Sequence, residues 1–221
     1  MTDLPDAPQA PLARSSRDPA LAIASGALLA LLVLSGWAPY DRPTWLLEVA
    51  PVLIAWPILF ATRKRFPLTA LVYAAIFLHA CVLIVGGAYT YARVPLGFAL
   101  ADLFELARNP YDRIGHFFQG CVPALVAREI LIRGAFVNGR RMRDFLVVCV
   151  VLAISASYEL IEWGVALAIG ASATEFLGTQ GDPWDTQWDM FMALVGATTA
   201  LGLFARLHDR QIASIQPESA R

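Results

Sequence analysis

The chain has 221 residues, of which 57% are hydrophobic and 16% are charged, and its mean hydropathy is +0.56. Because charged residues make up about 25% of soluble globular domains, this composition excludes a water-soluble domain. The net charge is −1, with 17 Lys and Arg against 18 Asp and Glu. Nucleic-acid binding is therefore not expected, since neutralising phosphates needs clustered Lys and Arg.

Six apolar stretches are long enough to cross a bilayer. A helix needs about 20 residues to cross ~30 Å of hydrocarbon, and helices satisfy every backbone polar group in lipid. The stretches are residues 20–37, 45–62, 67–88, 114–133, 145–170 and 189–206. The sequence therefore predicts an all-α polytopic protein of the lipid bilayer with about six transmembrane helices.

The segments outside these spans predict one further helix and two tails. Apolar residues within 96–107 recur at three- and four-residue steps, with Asp102, Glu105 and Arg108 on the opposite side, which is typical of a short interfacial helix. Asn109-Pro110 is expected to end it. We expect a disordered N-terminal tail at 1–18, a single membrane domain at 19–207 and a cytoplasmic C-terminal tail at 208–221.

The distribution of Lys and Arg predicts the orientation. With six spans and the N-terminus inside, the inner segments carry twelve of the 17 basic residues and the outer segments carry four. Since basic residues are retained on the cytoplasmic side, both termini are expected to be cytoplasmic.

The informative residues are ionisable groups that lipid disfavours. They lie at the start of span four, within span five, and in the loop and first turn of span six. This candidate polar site comprises Asp112, His116, Gln119, Glu159, Glu162, Asp182, Asp185 and Asp189.

Topology predicts that these groups share one depth. Span five starts inside, so Glu159 and Glu162 lie about 21 and 26 Å along it, while spans four and six both start outside. Glu48, near the outer start of span two, could join them. Paired carboxylates in low dielectric share a proton, face water or meet a cation. The sequence thus suggests a divalent cation site formed by His116, Glu159, Glu162, Asp185 and Asp189, where a histidine among carboxylates favours manganese, iron or zinc.

Other polar residues have simpler interpretations. Arg128 is expected to snorkel to the inner interface, and Glu129 to pair with Arg133 one helical turn away. The three cysteines lie in separate apolar runs with no C-x-x-C pair, which indicates packing residues. No motif of a serine hydrolase, P-loop or zinc protease is present, so the sequence assigns no reaction.

Five strings carry a family resemblance: residues 89–95 (YTYARVP), 109–120 (NPYDRIGHFFQG), 127–131 (AREIL), 158–163 (YELIEW) and 178–190. In these strings the chain resembles the YjdF-type family of bacterial inner-membrane proteins, a domain of unknown function. It is more distantly similar to VanZ-like membrane proteins. The resemblance implies a multi-pass protein of the bacterial inner membrane with an envelope role.

Three functions stay open on sequence alone. The first is the outward-facing cation site, structural or catalytic toward an envelope lipid. The second is a small transporter in which Glu159 and Glu162 carry protons or cations. The third is a membrane scaffold without a small-molecule site, in which the acidic residues form only an interhelical hydrogen-bond network.

Overall fold

A computed structural model describes residues 18–169 and 180–215, and this part of the chain is helical with short connections and no β-strand. In chain order the helices are α1 (Asp18–Trp37), α2 (Arg42–Thr62), α3 (Ala70–Ala88), α4 (Pro95–Leu103), α5 (Tyr111–Arg133), α6 (Arg140–Ile169), α7 (Asp185–Thr199), a π-helical turn (Ala200–Phe204) and α8 (Ala205–Ile215). The predicted all-α architecture is confirmed. Residues 1–17, 170–179 and 216–221, with most of the predicted N-terminal tail and the end of the C-terminal tail, lie outside the described residues.

Five of the described helices are long and apolar enough to cross a membrane. They are Pro19–Trp37, Arg42–Thr62, Ala70–Ala88, Arg140–Ala168 and the continuous Asp185–Ile215. The sixth predicted span corresponds to α5, whose 23 residues would measure about 34 Å. Its ionisable residues, which include Asp112, His116 and Glu129, lower its hydropathy. A count of six spans therefore depends on α5 and stays a prediction.

Helix α5 lies at the centre of the bundle and packs most extensively on α7. Two glycines allow the close approach: a Cβ at Gly120 would collide with the Ala193 carbonyl, and one at Gly196 with the Phe117 carbonyl. Around this crossing, buried Leu125, Val147 and other apolar side chains form the main core. Small residues at this crossing therefore let the two helix backbones approach closely.

Helices α2 and α3 form a second packing unit at the side of α5. Val49 and Ile84 are buried between them, together with Val52 and Ala80. Helix α2 begins at a local cap, because the Asp41 carboxylate accepts a hydrogen bond of 2.8 Å from the Thr44 backbone N–H. The pairing brings the start of α2 beside the end of α3, at the same end of the bundle as the start of α5.

The short helix before α5 ends earlier than predicted. Helix α4 stops at Leu103, and Glu105 adopts a left-handed φ of 53° instead of continuing to residue 107. Asn109 supplies the reason for the fold of this connection: its amide donates to Val94 O at 3.0 Å, and its Oδ1 accepts from the Tyr111 N–H at 3.0 Å. Arg108 therefore follows a turn, and its side chain reaches the acidic residues of α5 and α7 instead of the opposite face of a helix.

The C-terminal helix extends beyond the predicted last span. Residues 208–215, which the sequence assigns to a tail, continue α8 after the π-helical turn. His208 and Ile212 are buried, and Gln211 Oε1 accepts a hydrogen bond of 2.9 Å from the Leu71 N–H. This part of the chain thus packs against the start of α3.

Candidate functional site

A histidine surrounded by carboxylates lies where α5, α6 and α7 meet. His116 Nε2 is 3.5 Å from Asp112 Oδ1 and 3.8 Å from Asp189 Oδ2, and His116 Nδ1 is 3.9 Å from Glu159 Oε1. Gln119 Oε1 lies 3.1 Å from His116 Nδ1. One turn of α5, the middle of α6 and the first turns of α7 therefore place one imidazole against three acids; we call these four ionisable residues the His116 centre.

The carboxylates of the His116 centre are buried but incompletely hydrogen-bonded. Asp112 is 7% exposed and Asp189 is 3% exposed. Within the part of the chain that the structure describes, Asp112 Oδ2, Asp189 Oδ1 and Glu159 Oε1 have no hydrogen-bond partner. Asp112, His116 and Asp189 each offer a ligand atom within 4.8 Å of the others, the only such group of three among the described residues. Because buried polar atoms are usually satisfied, these oxygens mark a place that a cation can fill.

Two arginines border the centre. Arg108 contacts Asp185 through a short hydrogen bond, Asp182 at 3.3 Å and Asp112 at 3.7 Å. Arg113 donates to Asp182 Oδ2 at 3.2 Å. Burial alone would lower the pKa of Arg108. The hydrogen bond to Asp185 and the negative charge of Asp185 outweigh burial, so the pKa of Arg108 is raised. Asp182 and Asp185 thus have arginine partners, whereas the ion-pair contact of Asp189 among the described residues is with His116.

A cavity of about 140 Å³ adjoins the centre on the side of α2 and α3. Glu48, Asp112, His116, Gln119 and Glu162 line it, together with aromatic and apolar side chains. The Tyr158 hydroxyl donates to Leu47 O and Glu48 Oε2, each at 3.3 Å. Leu47 accepts this bond because its usual helical donor would be residue 51, and Pro51 has no N–H.

Tyr91 closes one wall of this cavity. Its φ of 51° is left-handed, and a Cβ at Gly115 would come within 2.7 Å of its ring. Because Gly115 has no side chain, the Tyr91 ring can occupy this space. Burial raises the pKa of Tyr91 well above its usual range, and the nearby Glu48 adds to this effect, so the phenol stays protonated.

A second buried cluster lies at the opposite end of α5. Glu129 is fully buried and accepts from Thr69 Oγ1 at 2.8 Å and Arg133 Nη1 at 2.8 Å, and it lies 3.0 Å from His208 Nε2. The predicted Glu129–Arg133 pair is confirmed. The expectation that Arg128 snorkels is wrong, because its side chain is 1% exposed and pairs with Asp209 at 2.6 Å. Helix α8 folds back over this end and supplies both new partners.

The predicted site residues separate into three environments. The first environment surrounds His116 and contains Asp112, Gln119, Glu159 and Asp189. Asp182 and Asp185 are held by arginines, and Glu162 faces the cavity with Glu48. Of the five predicted metal ligands, only His116, Glu159 and Asp189 are therefore close together, with Asp112 added.

Three residues at this end of the bundle are absent from the sequence-based site. Arg108 is misplaced by the predicted helix, and Tyr91 lies in a turn that periodicity does not resolve. His79 lines the cavity from the middle of α3. Two sequence features could have identified Tyr91 and His79: the YTY string, and a histidine inside an otherwise apolar span.

The architecture is that of a polytopic helical membrane protein with a buried acidic and histidine centre. Residues 20–210 match the family described as "Predicted membrane protein (DUF2238)", and the chain belongs to this family. It is 60% identical over 185 residues to "Inner membrane protein YjdF" of Escherichia coli (strain K12), covering 84% of this chain and 88% of that protein. The protein is thus an inner membrane protein of the YjdF family. No solved structure matches it.

Proposed function

We propose that the protein binds one divalent transition-metal ion at the His116 centre. Asp112, His116 and Asp189 would supply three protein ligands. Glu159 lies 3.9 Å from His116 Nδ1, on the other side of the ring, and would add negative charge beside the site. The observation that carries this proposal is the spacing of the ligand atoms, 3.5 Å and 3.8 Å from His116 Nε2. Ligands held about 2.1 Å from a tetrahedral ion lie about 3.4 Å apart, so each aspartate oxygen is already close to the required distance from His116 Nε2. All three ligand atoms lie within 4.8 Å of one another.

The local charge supports a cation rather than an anion. Three carboxylates face one imidazole, and each of them has one buried oxygen without a hydrogen-bond partner among the described residues. In the neutral ring with its proton on Nδ1, Gln119 Oε1 accepts a hydrogen bond from that nitrogen, so that Nε2 keeps its lone pair toward the two aspartates. One nitrogen among oxygen ligands favours manganese, iron or zinc over calcium or magnesium. The bound ion would tie the first turns of α5 and α7 together.

We place this centre in the outer half of the inner membrane, with α5 as the sixth span, residues 19–207 as one membrane domain and both termini in the cytoplasm. The support is the excess of basic residues on the inner segments. Introduced cysteines test the orientation: a periplasmic thiol reagent should label Asp102→Cys and not Asn138→Cys, both at exposed positions. The reverse pattern would overturn the orientation.

Metal analysis and calorimetry on the purified full-length chain test the metal. We expect one ion per chain and a dissociation constant raised at least tenfold by Asp189→Asn. Asp102→Asn is the matched control, because this aspartate is exposed and lies on α4, and it should leave affinity unchanged. Absence of a stoichiometric ion from the unmutated protein, after loading with manganese, iron and zinc in turn, would refute the proposal.

A further inference from the structure

The cavity beside the His116 centre has a lining of its own. It lies between α2, α3, α5 and α6 and is distinct from the space between His116 and Asp189, because Asp189 is not among its walls. Glu48, Asp112 and Glu162 contribute three carboxylates from three different helices, and no Lys or Arg lines it. A cationic or strongly hydrogen-bond-donating occupant therefore fits these walls.

The arrangement of the carboxylates argues against a bare metal ion inside this cavity. Among described residues, only Asp112, His116 and Asp189 bring three ligand atoms within 4.8 Å of one another. Glu48 and Glu162 belong to no such group, so a single ion cannot be enclosed by them as they stand. Both acids line the same cavity, so a cation of several atoms fits this arrangement better than a bare ion does.

Unused polar atoms on the walls point to a ligand. Asp112 Oδ2 is buried, lies 3.7 Å from Arg108 Nη2, and has no hydrogen-bond partner in residues 18–169 and 180–215. In the same residues, His79 Nε2 also has no partner. Pro123, also on the wall, has no N–H, so the Gln119 carbonyl lacks its usual helical donor. The cavity thus combines carboxylate, imidazole and carbonyl acceptors.

We propose that this cavity binds a small primary ammonium group, of the size of the ethanolamine head group. An ammonium has three donors and no acceptor, which matches carboxylates on separate helices. Tyr91 and Tyr158 also line the cavity, and aromatic rings attract a desolvated cation. A cavity of about 150 Å³ holds one benzene molecule, so 140 Å³ accommodates the few heavy atoms of ethanolamine.

This proposal goes beyond the metal centre and fails separately from it. The two sites share Asp112 and His116, but Asp189 belongs only to the metal centre and Glu162 only to the cavity. Asp189→Asn should therefore weaken metal binding and leave ammonium binding within twofold. Glu162→Gln should do the opposite.

Calorimetric titration of the full-length protein with ethanolamine tests the proposal. The protein is reconstituted in nanodiscs of phosphatidylglycerol, which carries no amine. We expect saturable binding of ethanolamine, none of acetate, and at least a tenfold higher dissociation constant for Glu162→Gln. Glu105→Gln is the matched control at an exposed position outside the cavity, and it should bind as the unmutated protein does.

Replacing part of the lipid with phosphatidylethanolamine distinguishes the two sources of the ammonium group. Competition with soluble ethanolamine would support a lipid head group as the occupant, and absence of competition would support the free amine. Failure of the unmutated protein to bind ethanolamine in either lipid would overturn the proposal. Unchanged ethanolamine binding by the Glu162→Gln protein would also overturn it. Displacement of ethanolamine from the Asp189→Asn protein by a divalent metal would have the same consequence.

Discussion

The two buried polar clusters on α5 differ in how completely their carboxylate oxygens are paired. In the cluster around Glu129, this carboxylate has Thr69, Arg133 and His208 as partners, and both of its oxygens are used. At the His116 centre, Asp112 and Asp189 each have one buried oxygen without a hydrogen-bond partner among the described residues. Both clusters join distant helices, but the unpartnered buried atoms of the Glu129 cluster are nitrogens of Arg128 and His208, whereas those of the His116 centre are carboxylate oxygens.

This difference separates a structural network from a binding site. A buried carboxylate whose partners are all protein groups holds helices together, and removing it leaves those partners without an acceptor. Carboxylates that face one another around a single imidazole repel, so the apo-protein gains little from them. We therefore expect mutations of the Glu129 cluster to affect folding most and mutations of the His116 centre to affect ligand binding most.

The largest effect on stability is expected for Glu129→Ala. This change leaves buried His208 and the Thr69 hydroxyl without the carboxylate that they contact. Breaking a buried ion pair typically costs about 3–5 kcal/mol of unfolding free energy. Thermal unfolding in detergent measures it, with Asp144→Ala at a partly exposed surface pair as the control. Asp189→Asn without metal should cost far less than Glu129→Ala; equal destabilisation by both would remove the distinction between the clusters.

The next effect is expected for Arg108→Gln. Asp185 is 5% exposed at its side chain and would lose its cationic partner, so the metal-free protein should lose about 2–3 kcal/mol. Removing a cation 3.7 Å from Asp112 should also tighten divalent-metal binding, on the order of tenfold. Unfolding with and without metal measures both effects. Weaker metal binding in the variant would show that Arg108 supports the centre instead of competing with the ion.

A smaller effect is expected for Gly120→Ala. The added Cβ meets the Ala193 backbone carbonyl, so α5 and α7 must separate, and overpacking of this kind costs about 1–3 kcal/mol. The separation should also move Asp189 away from His116 and weaken metal binding. Gly26→Ala is the matched control, because its Cβ would meet no atom within 4 Å. Unaltered metal affinity in a folded Gly120→Ala protein would contradict the proposed geometry.

The smallest effect is expected for Tyr158→Phe. Loss of the hydroxyl leaves the Leu47 carbonyl without a donor and should cost about 1 kcal/mol. In a Pro51→Ala background, residue 51 regains its N–H and can bond Leu47, so the same change should cost less. A double-mutant cycle of unfolding free energies measures the difference. Strict additivity would mean that the proline does not determine this hydrogen bond.

The sequence predicted the convergence of His116, Glu159 and Asp189 because span order and depth follow from apolar length and Arg and Lys counts. It did not predict the position of Arg108, because the turn after Leu103 is made by the Asn109 side chain and not by a helical pattern. The contact between Glu129 and His208 joins residues 79 positions apart. Such contacts, like the wall formed by Tyr91 and His79, arise only when the helices pack.

X-ray absorption spectroscopy of the metal-loaded, full-length protein tests the central claim most directly. We expect one ion per chain, with a single imidazole nitrogen and oxygen ligands at about 2.1 Å. The imidazole signal should be lost in the His116→Gln protein. A spectrum without imidazole, or one that His116→Gln and Asp189→Asn leave unchanged, would contradict it.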